Sequence, residues 1–317
     1  MMAHPSQLLA ILLLEALIGY PAALLTRVGH PVTWIGAVIA GLEERWNYGS
    51  ARRRKVVGGA LLLVIIVLAA ASGWLVFALL GDVFWGLLLV VAGTTGLAQR
   101  SLYDHVRAVE VPLAGGDLAA ARAAVAMVVG RDTETMTAND IAVAAIETLA
   151  ESFCDGVLAP AFWFLVGGLP GLFAAKAINT ADSMIGHRDS RYENFGWAAA
   201  RADDAINLLP ARVSGLLIAA VAGQGMVSRA LAIMWRDAPD HASPNGGWPE
   251  AAMAGALGRR LGGPVTYAGD RADRAWLGDG PTPCGVDLGL ALKLYRRACL
   301  LLWVMVALLA GAVVWAR

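Results

Sequence analysis

The sequence predicts an all-α fold: a polytopic integral membrane protein with about four to six membrane segments and large polar blocks between them. Three observations predict it. The 317 residues are 58% apolar and only 16% charged, the mean hydropathy is +0.60, and several charge-free runs approach the length of a bilayer-spanning helix. Soluble domains average about 45–50% apolar and about 25% charged residues, so this balance excludes disorder. The 25 basic and 25 acidic side chains cancel. No net field therefore selects a polyanion, and no nucleic-acid partner is expected. Cys154, Cys284 and Cys299 form no CxxC pair and no even framework, which argues against a disulfide scaffold or a structural zinc site.

A hydrocarbon core about 30 Å thick takes about 20 residues of helix. The run 56–80 holds no charge and is the clearest span; 83–99, 157–175 and 298–316 are also charge-free. Two weaker runs are 7–25, apolar except for Glu15, and 213–228, between Arg212 and Arg229. The first lacks a basic leader and a clean A-x-A site, so it reads as a membrane segment and not a signal peptide. The whole chain, 1–317, reads as a single integral membrane domain. Residues 26–55 read as a loop carrying Arg27, Arg45, Arg52, Arg53, Arg54 and Lys55, which places it in the cytoplasm by the positive-inside rule. Beyond residue 156 the rule conflicts with simple alternation, because 175–212 and 229–297 are both basic. Gly167-Gly168-Leu169-Pro170-Gly171 should break the helix at 157–175, and a broken or re-entrant segment changes the count.

Three polar blocks remain: 100–156, 176–212 and 229–297. The first reads as helical. The last holds 11 Gly and 5 Pro between Ser243 and Gly289, so turns and loops are expected there. From Asn139 to Asp155 a helix places Ala142, Ile146, Leu149, Ala150 and Phe153 on one face and Asp140, Glu147, Glu151 and Asp155 on the other. An ordinary solvated face is the simplest account. Stacked carboxylates at i, i+4 repel, however, and no base on this helix relieves them. An external cation is then expected, and Mg²⁺ is the natural oxygen-seeking candidate.

The next block crowds Asn179, Asp182, Arg188, Arg191, Arg201, Asp203, Asp204, Asn207 and Arg212 into 34 residues. Carboxylates hold Mg²⁺, and arginines fork onto phosphate or carboxylate. A structural Arg–Asp network is the plain alternative; a site for a phosphorylated substrate is the functional one. Asp203 and Asn207 share a face if 200–209 is helical. No P-loop, GxGxxG, GxSxG or HExxH pattern occurs. The five histidines are scattered, and His30, before Pro31, reads better as a helix cap or a surface contact than as a ligand.

Ordered motifs then carry a resemblance. They are His30-Pro31-Val32 with Trp34-Ile35-Gly36, Val129 to Thr133, Glu147 to Pro160 and Ile178 to Gly186. Arg191-Tyr192 with Phe195-Gly196-Trp197, Asp203-Asp204 with Asn207, Pro210 and Arg212, and Ser243 to Glu250 complete the set. In order and spacing, from about residue 27 to residue 290, the chain resembles the cobalamin-biosynthesis CobD/CbiB family. Each motif alone is weak; the ordered set is specific. The family pattern reads Glu-Asn where this chain has Glu151-Ser152.

The resemblance implies an ATP-dependent ligase of the cytoplasmic membrane of bacteria, with its active site facing the cytoplasm. The reaction so implied is that of the adenosylcobinamide-phosphate synthase family, which joins adenosylcobyric acid to (R)-1-aminopropan-2-ol O-phosphate, the amine differing in some members. On this reading Glu147, Glu151 and Asp182 are catalytic. Glu147, Glu151, Asp155, Asp182, Asp203 and Asp204 serve metal binding. Arg131, Asp132, Asn179, Arg188, Arg191, Arg212 and Asn245 contact substrate or phosphate. ATP and Mg²⁺ are the expected cofactors; partners are the two substrates and the bilayer, with homo-oligomerisation or association with other cobalamin-pathway enzymes left open. Trp34, Trp163, Trp197 and Trp248 could pack on the corrin ring, although interfacial belts account for most such tryptophans. The rival classes are an ion-coupled transporter, suggested by Glu15 and the broken segment, and a membrane tether for other enzymes of the pathway.

Overall fold

The computed structural model describes residues 4–79, 83–130, 132–267 and 270–316. Helices come first in chain order: α1 (Pro5–Ile18), α2 (Ala22–Val28), α3 (Pro31–Trp46), α4 (Ala51–Leu79) and α5 (Val83–Thr94). Then follow α6 (Gln99–Ala114), α7 (Leu118–Ala126), α8 (Ala138–Phe153), a π-helical turn at Cys154–Leu158, and α9 (Ala159–Ile185). After α10 (Trp197–Ile206), α11 (Leu208–Ala220), α12 (Val227–Asp237) and α13 (Gly247–Leu257) come four short strands, then α14 (Gly285–Trp315). Among the described residues four stretches are long and apolar enough to cross a membrane: Ala23–Trp46, Ala51–Leu79, Ala138–Ile185 and Gly285–Trp315. The protein is thus an all-α polytopic membrane protein.

Two compact units make up the chain. The first comprises Met1–Ala98, Ala159–Asn207 and Val306–Arg317. Its core joins Ile39 of α3, Leu61, Leu62 and Ile65 of α4, Ile178, Ala181 and Ile185 of α9, and Phe195. On the outer side α4 exposes Val56, Leu63, Val67, Leu68, Trp74, Leu75 and Leu79. Such a continuous apolar face needs a cover, and lipid supplies one. The break expected at 167–171 is present: Gly168 takes φ 62°, ψ −152° inside α9, a left-handed φ that a side chain disfavours. Gly73 of α4 meets the backbone of Leu169 and Pro170 just past the break, so the two helices touch there without an intervening side chain.

Residues 26–55, expected as a loop, are largely helical. α3 starts at Pro31 because His30 caps it: Val32 N–H donates to His30 Nδ1 at 3.2 Å, and Thr33 Oγ1 donates to the His30 carbonyl. A polar count over the whole stretch averages in Arg52 to Lys55, which belong to the start of α4, and hides the apolar run that precedes them.

The second unit comprises Gln99–Leu158 and Leu208–Met305. α13 is its central element, buried from Gly247 to Ala256; its Gly255 lies against the backbone of Ala230 in α12. α8 is buried on most sides, not one: every residue from Ile141 to Glu147 is buried. The block expected to be loops contains α12 and α13 and two small antiparallel ladders. β1 (Leu261–Gly262) pairs with β4 (Trp276–Leu277), and β2 (Val265–Tyr267) pairs with β3 (Asp270–Ala272).

Candidate functional site

In the first unit the polar residues gather at the C-terminal half of α9 and on α10. Asn207, the residue after α10, donates through Nδ2 to Asp203 Oδ2 at 3.0 Å, as the i, i+4 spacing predicts. Asn179 Nδ2 donates to Asp203 Oδ1 at 3.4 Å, and Lys176 Nζ donates to Asn179 Oδ1 at 3.4 Å. Burial pushes the Asp203 carboxyl above its usual range, and the neighbouring Asp204 charge acts the same way. The two amide donors and the Lys176 charge pull it back. Asn207 is 2% exposed, and among the described residues its Oδ1 has no hydrogen-bond partner. Asp204 pairs with Arg201 at 3.2 Å. At the end of α9, a side chain on Gly186 would overlap the Asp182 carboxylate, so glycine leaves that carboxylate its room.

Arg188 and Arg191 lie on the exposed turn after α9. Arg191 forks onto Glu43 with contacts of 3.1 and 2.8 Å. Asn47 donates to Glu43 at 2.7 Å and to the Arg191 carbonyl at 3.1 Å. Arg54 donates to Asn47 Oδ1 at 2.8 Å and to the Ser190 and Arg191 carbonyls. The fork therefore holds a loop of this unit to α3 and α4. An Arg191 so engaged presents its exposed edge, not its full fork, to a ligand.

In the second unit the four carboxylates of the α8 line meet different surroundings. Asp140 closes a capping box with Thr137. Glu147, expected on the metal, is 2% exposed. It accepts from Arg274 at 2.8 and 3.1 Å and from Gly262 N–H at 2.7 Å. The counter-ion that its own helix lacks comes from the segment beside β4. Glu151 is exposed, and its Oε1 lies 3.3 Å from where a side chain on Gly246 would begin. Asp155 falls in the π-helical turn.

Around Gly246 the turn 243–248 is tightly organised. Ser243 Oγ accepts from the N–H groups of Asn245 and Gly246, both at 3.2 Å. Arg212 reaches Asn245 Oδ1 at 3.3 Å and lies 4.4 Å over the Trp248 ring, which also meets Trp235 edge-on. His241 Nδ1 accepts from Ser243 N–H at 3.1 Å, while its Nε2 lies 3.7 Å from buried Glu250. Lys176, Glu43, His241, Glu250 and Arg274 were not singled out from sequence. Only their partners, far along the chain, distinguish them. Arg131 lies outside the described residues, and Asp132 is exposed with Oδ1 accepting from Glu134 N–H at 3.1 Å. Among the described residues no three His, Cys, Asp or Glu side chains form a metal-binding group.

Burial holds the His241 pKa below the ordinary 6.5, and the nearby Arg274 charge adds to this, against the Ser243 hydrogen bond and Glu147. The folded unit thus favours the neutral ring. Stability from this source is complete above that ordinary value and falls as the pH drops through it, because the unfolded chain then binds a proton that the folded chain disfavours. Acidification from about pH 7.5 to about pH 5.5 is expected to lower the melting temperature more in the wild type than in His241→Gln. Equal slopes in the two proteins would dismiss the assignment.

The fold and these clusters define a class: a polytopic helical membrane protein with carboxylate, amide and guanidinium groups gathered at helix ends and turns. The particular family follows from comparison. The model of the CobD/Cbib protein family matches residues 8–295, and the chain belongs to that family. It is 48% identical over 290 residues to the cobalamin biosynthesis protein CobD of Rhodobacter capsulatus, covering 90% of each chain. It is 44% identical over 302 residues to the protein of that name from Rhizobium meliloti, covering 92% of each. The Brucella suis protein of that name is 44% identical over 282 residues, covering 83% of each. No solved structure matches the chain.

Proposed function

We propose that this protein performs the amide-forming step of cobalamin biosynthesis, joining a propionate carboxylate of adenosylcobyric acid to aminopropanol phosphate with ATP. The observation that carries this reading is family membership across nearly the whole chain, with CobD relatives aligned over 90% of both partners. Arg52 to Lys55 at the head of α4 support a cytoplasmic-membrane protein whose working face is cytoplasmic.

The chemistry asks for three things. A carboxylate is a poor electrophile, so its oxygen first takes the γ-phosphoryl group, releasing ADP. The amine nitrogen then attacks the acyl carbon, phosphate leaves, and the nitrogen gives up a proton. Positioning and charge stabilisation dominate the first step. Glu151, exposed beside the 243–248 turn, suits the proton acceptor. Arg188, the free edge of Arg191, and Arg212 with Asn245 suit phosphate and carboxylate recognition, with Asn179 and Asp132 in lesser contacts.

Mg²⁺ usually takes one or two protein carboxylates together with substrate phosphates. In the first unit the Asp203 carboxyl, with Asp204 next to it in the chain, offers one or two carboxylates, and among the described residues the buried Oδ1 of Asn207 has no hydrogen-bond partner; Asp182, near the end of α9, is a further candidate. When bound there, the ion would neutralise charge on the transferred phosphoryl group. Glu147 we assign to structure.

The test is direct. Protein purified in detergent, given adenosylcobyric acid, aminopropanol phosphate and Mg²⁺, should raise the corrinoid mass by the amide increment only when ATP is present. Asp182→Asn should lose that product. A folded sample that makes no product with either the phosphorylated or the free amine would return the protein to the carrier or tether classes.

A further inference from the structure

A cavity of about 450 Å³ opens in the first unit, where the end of α3, the start of α4 and the turn after α9 meet. Its size lies within the roughly 300–1,000 Å³ of small-molecule sites. Glu43, Glu44, Asn47, Arg54 and Arg191 line it, and every one of them is polar. Ligand pockets are ordinarily lined by apolar and aromatic side chains with a few polar groups. A wholly polar lining suits a small, strongly hydrated ligand, not a macrocycle or an acyl chain.

Part of this lining is engaged by the fold and part is not. Arg191 contacts the buried Glu43 through Nε and Nη2. Its Nη1 makes no hydrogen bond among the described residues, and 62% of the side chain is exposed. Arg54 engages Asn47 through Nε and two loop carbonyls through Nη2, which leaves its own Nη1 in the same condition. The Glu44 carboxylate is exposed and has no ion pair or hydrogen bond among the described residues. Glu44 lies in the last turn of α3 and Arg54 in the first turn of α4, where each charge opposes its helix dipole. A ligand carrying both signs would relieve both. Guanidinium edges of this kind select phosphate or carboxylate oxygens, and a carboxylate beside them selects an ammonium.

We propose that this cavity binds an aminoalkyl phosphate, with phosphate oxygens on Nη1 of Arg54 and Arg191 and the ammonium beside Glu44. This rests on the amide-forming reading above, in which aminopropanol phosphate is the amine substrate, and adds where that substrate is captured. The Glu43 fork fixes Arg191 in advance, so its free edge is presented with little further ordering cost. The headgroup of phosphatidylethanolamine carries the same two groups, and the cavity lies at the ends of two stretches apolar enough to cross a membrane. Its phosphate is a singly charged diester, whereas a monoester carries about 1.5 to 2 negative charges at pH 7. The monoester answers the guanidinium pair more fully.

Equilibrium dialysis of labelled aminopropanol phosphate against detergent-solubilised protein, without ATP, tests the assignment. Propyl phosphate serves as the same anion without the amine. Glu44→Lys should weaken aminopropanol phosphate about tenfold, the worth of one charge-assisted contact, and tighten propyl phosphate. Loss of folding cannot produce changes of opposite sign. Arg191→Lys, which keeps a charge for Glu43, should weaken both ligands. A wild type that forms the amide, with both affinities and the KM for the amine unchanged in Glu44→Lys, would overturn the cavity alone. A wild type that shows these binding changes yet forms no product with either amine would overturn the proposed function and keep the site. Native mass spectrometry could instead show phosphatidylethanolamine lost in Glu44→Lys while the affinity for aminopropanol phosphate is unchanged. That result would give the cavity to a lipid headgroup and overturn its assignment to the substrate.

Discussion

Glu151→Gln is expected to lower turnover by about 10²–10⁴-fold, the range for loss of a positioned general base, with the melting temperature unchanged. The amide keeps the shape of the side chain and loses its ability to take the proton from the attacking amine. Glu151 is exposed beside Gly246, and an amide of the same size keeps its packing there. Turnover near the wild-type level, followed by corrinoid mass under single-turnover conditions, would remove Glu151 from the reaction.

One helical turn earlier the opposite result is expected. Glu147→Ala should destabilise the second unit by about 3 kcal/mol or more, because removing one member of a buried ion pair strands the other. Arg274 has 18% of its side chain exposed against 3% for Glu147, which keeps the loss toward the lower end. Gly262 N–H also loses its acceptor. Replacing both members by apolar residues, Glu147→Leu with Arg274→Met, should recover much of the loss, since the desolvation cost of both charges disappears. Urea denaturation of the detergent-solubilised protein checks both. A cost below about 1 kcal/mol would class the pair with solvent-exposed bridges.

These two glutamates show where reading by spacing succeeds and where it stops. Helical periodicity places Glu147 and Glu151 on one line correctly. It cannot distinguish them, because the distinction comes from Arg274, 127 residues away. At Glu147 the counter-charge that the line was expected to need comes from Arg274. The same holds for Arg191, whose partner Glu43 is 148 residues distant. Local features were legible: His30 as a cap, the break at Gly168, and the Asp203–Asn207 contact each depend on neighbours within a few residues. The Pro- and Gly-rich block misled in part, since α13 forms inside it through burial of nearly every side chain it has.

Composition and charge-free runs were enough for the membrane class and the apolar helices, and the ordered motifs were enough for the family. Those properties follow from summed hydropathy and local spacing, which need no knowledge of distant contacts. Contacts between distant elements set which charged residues are buried in ion pairs and which are exposed, and they join Lys176, at the edge of an apolar cleft, to the Asp203 network. A charge costs or contributes according to its burial and its partner, and both are set by elements that the chain brings together from far apart.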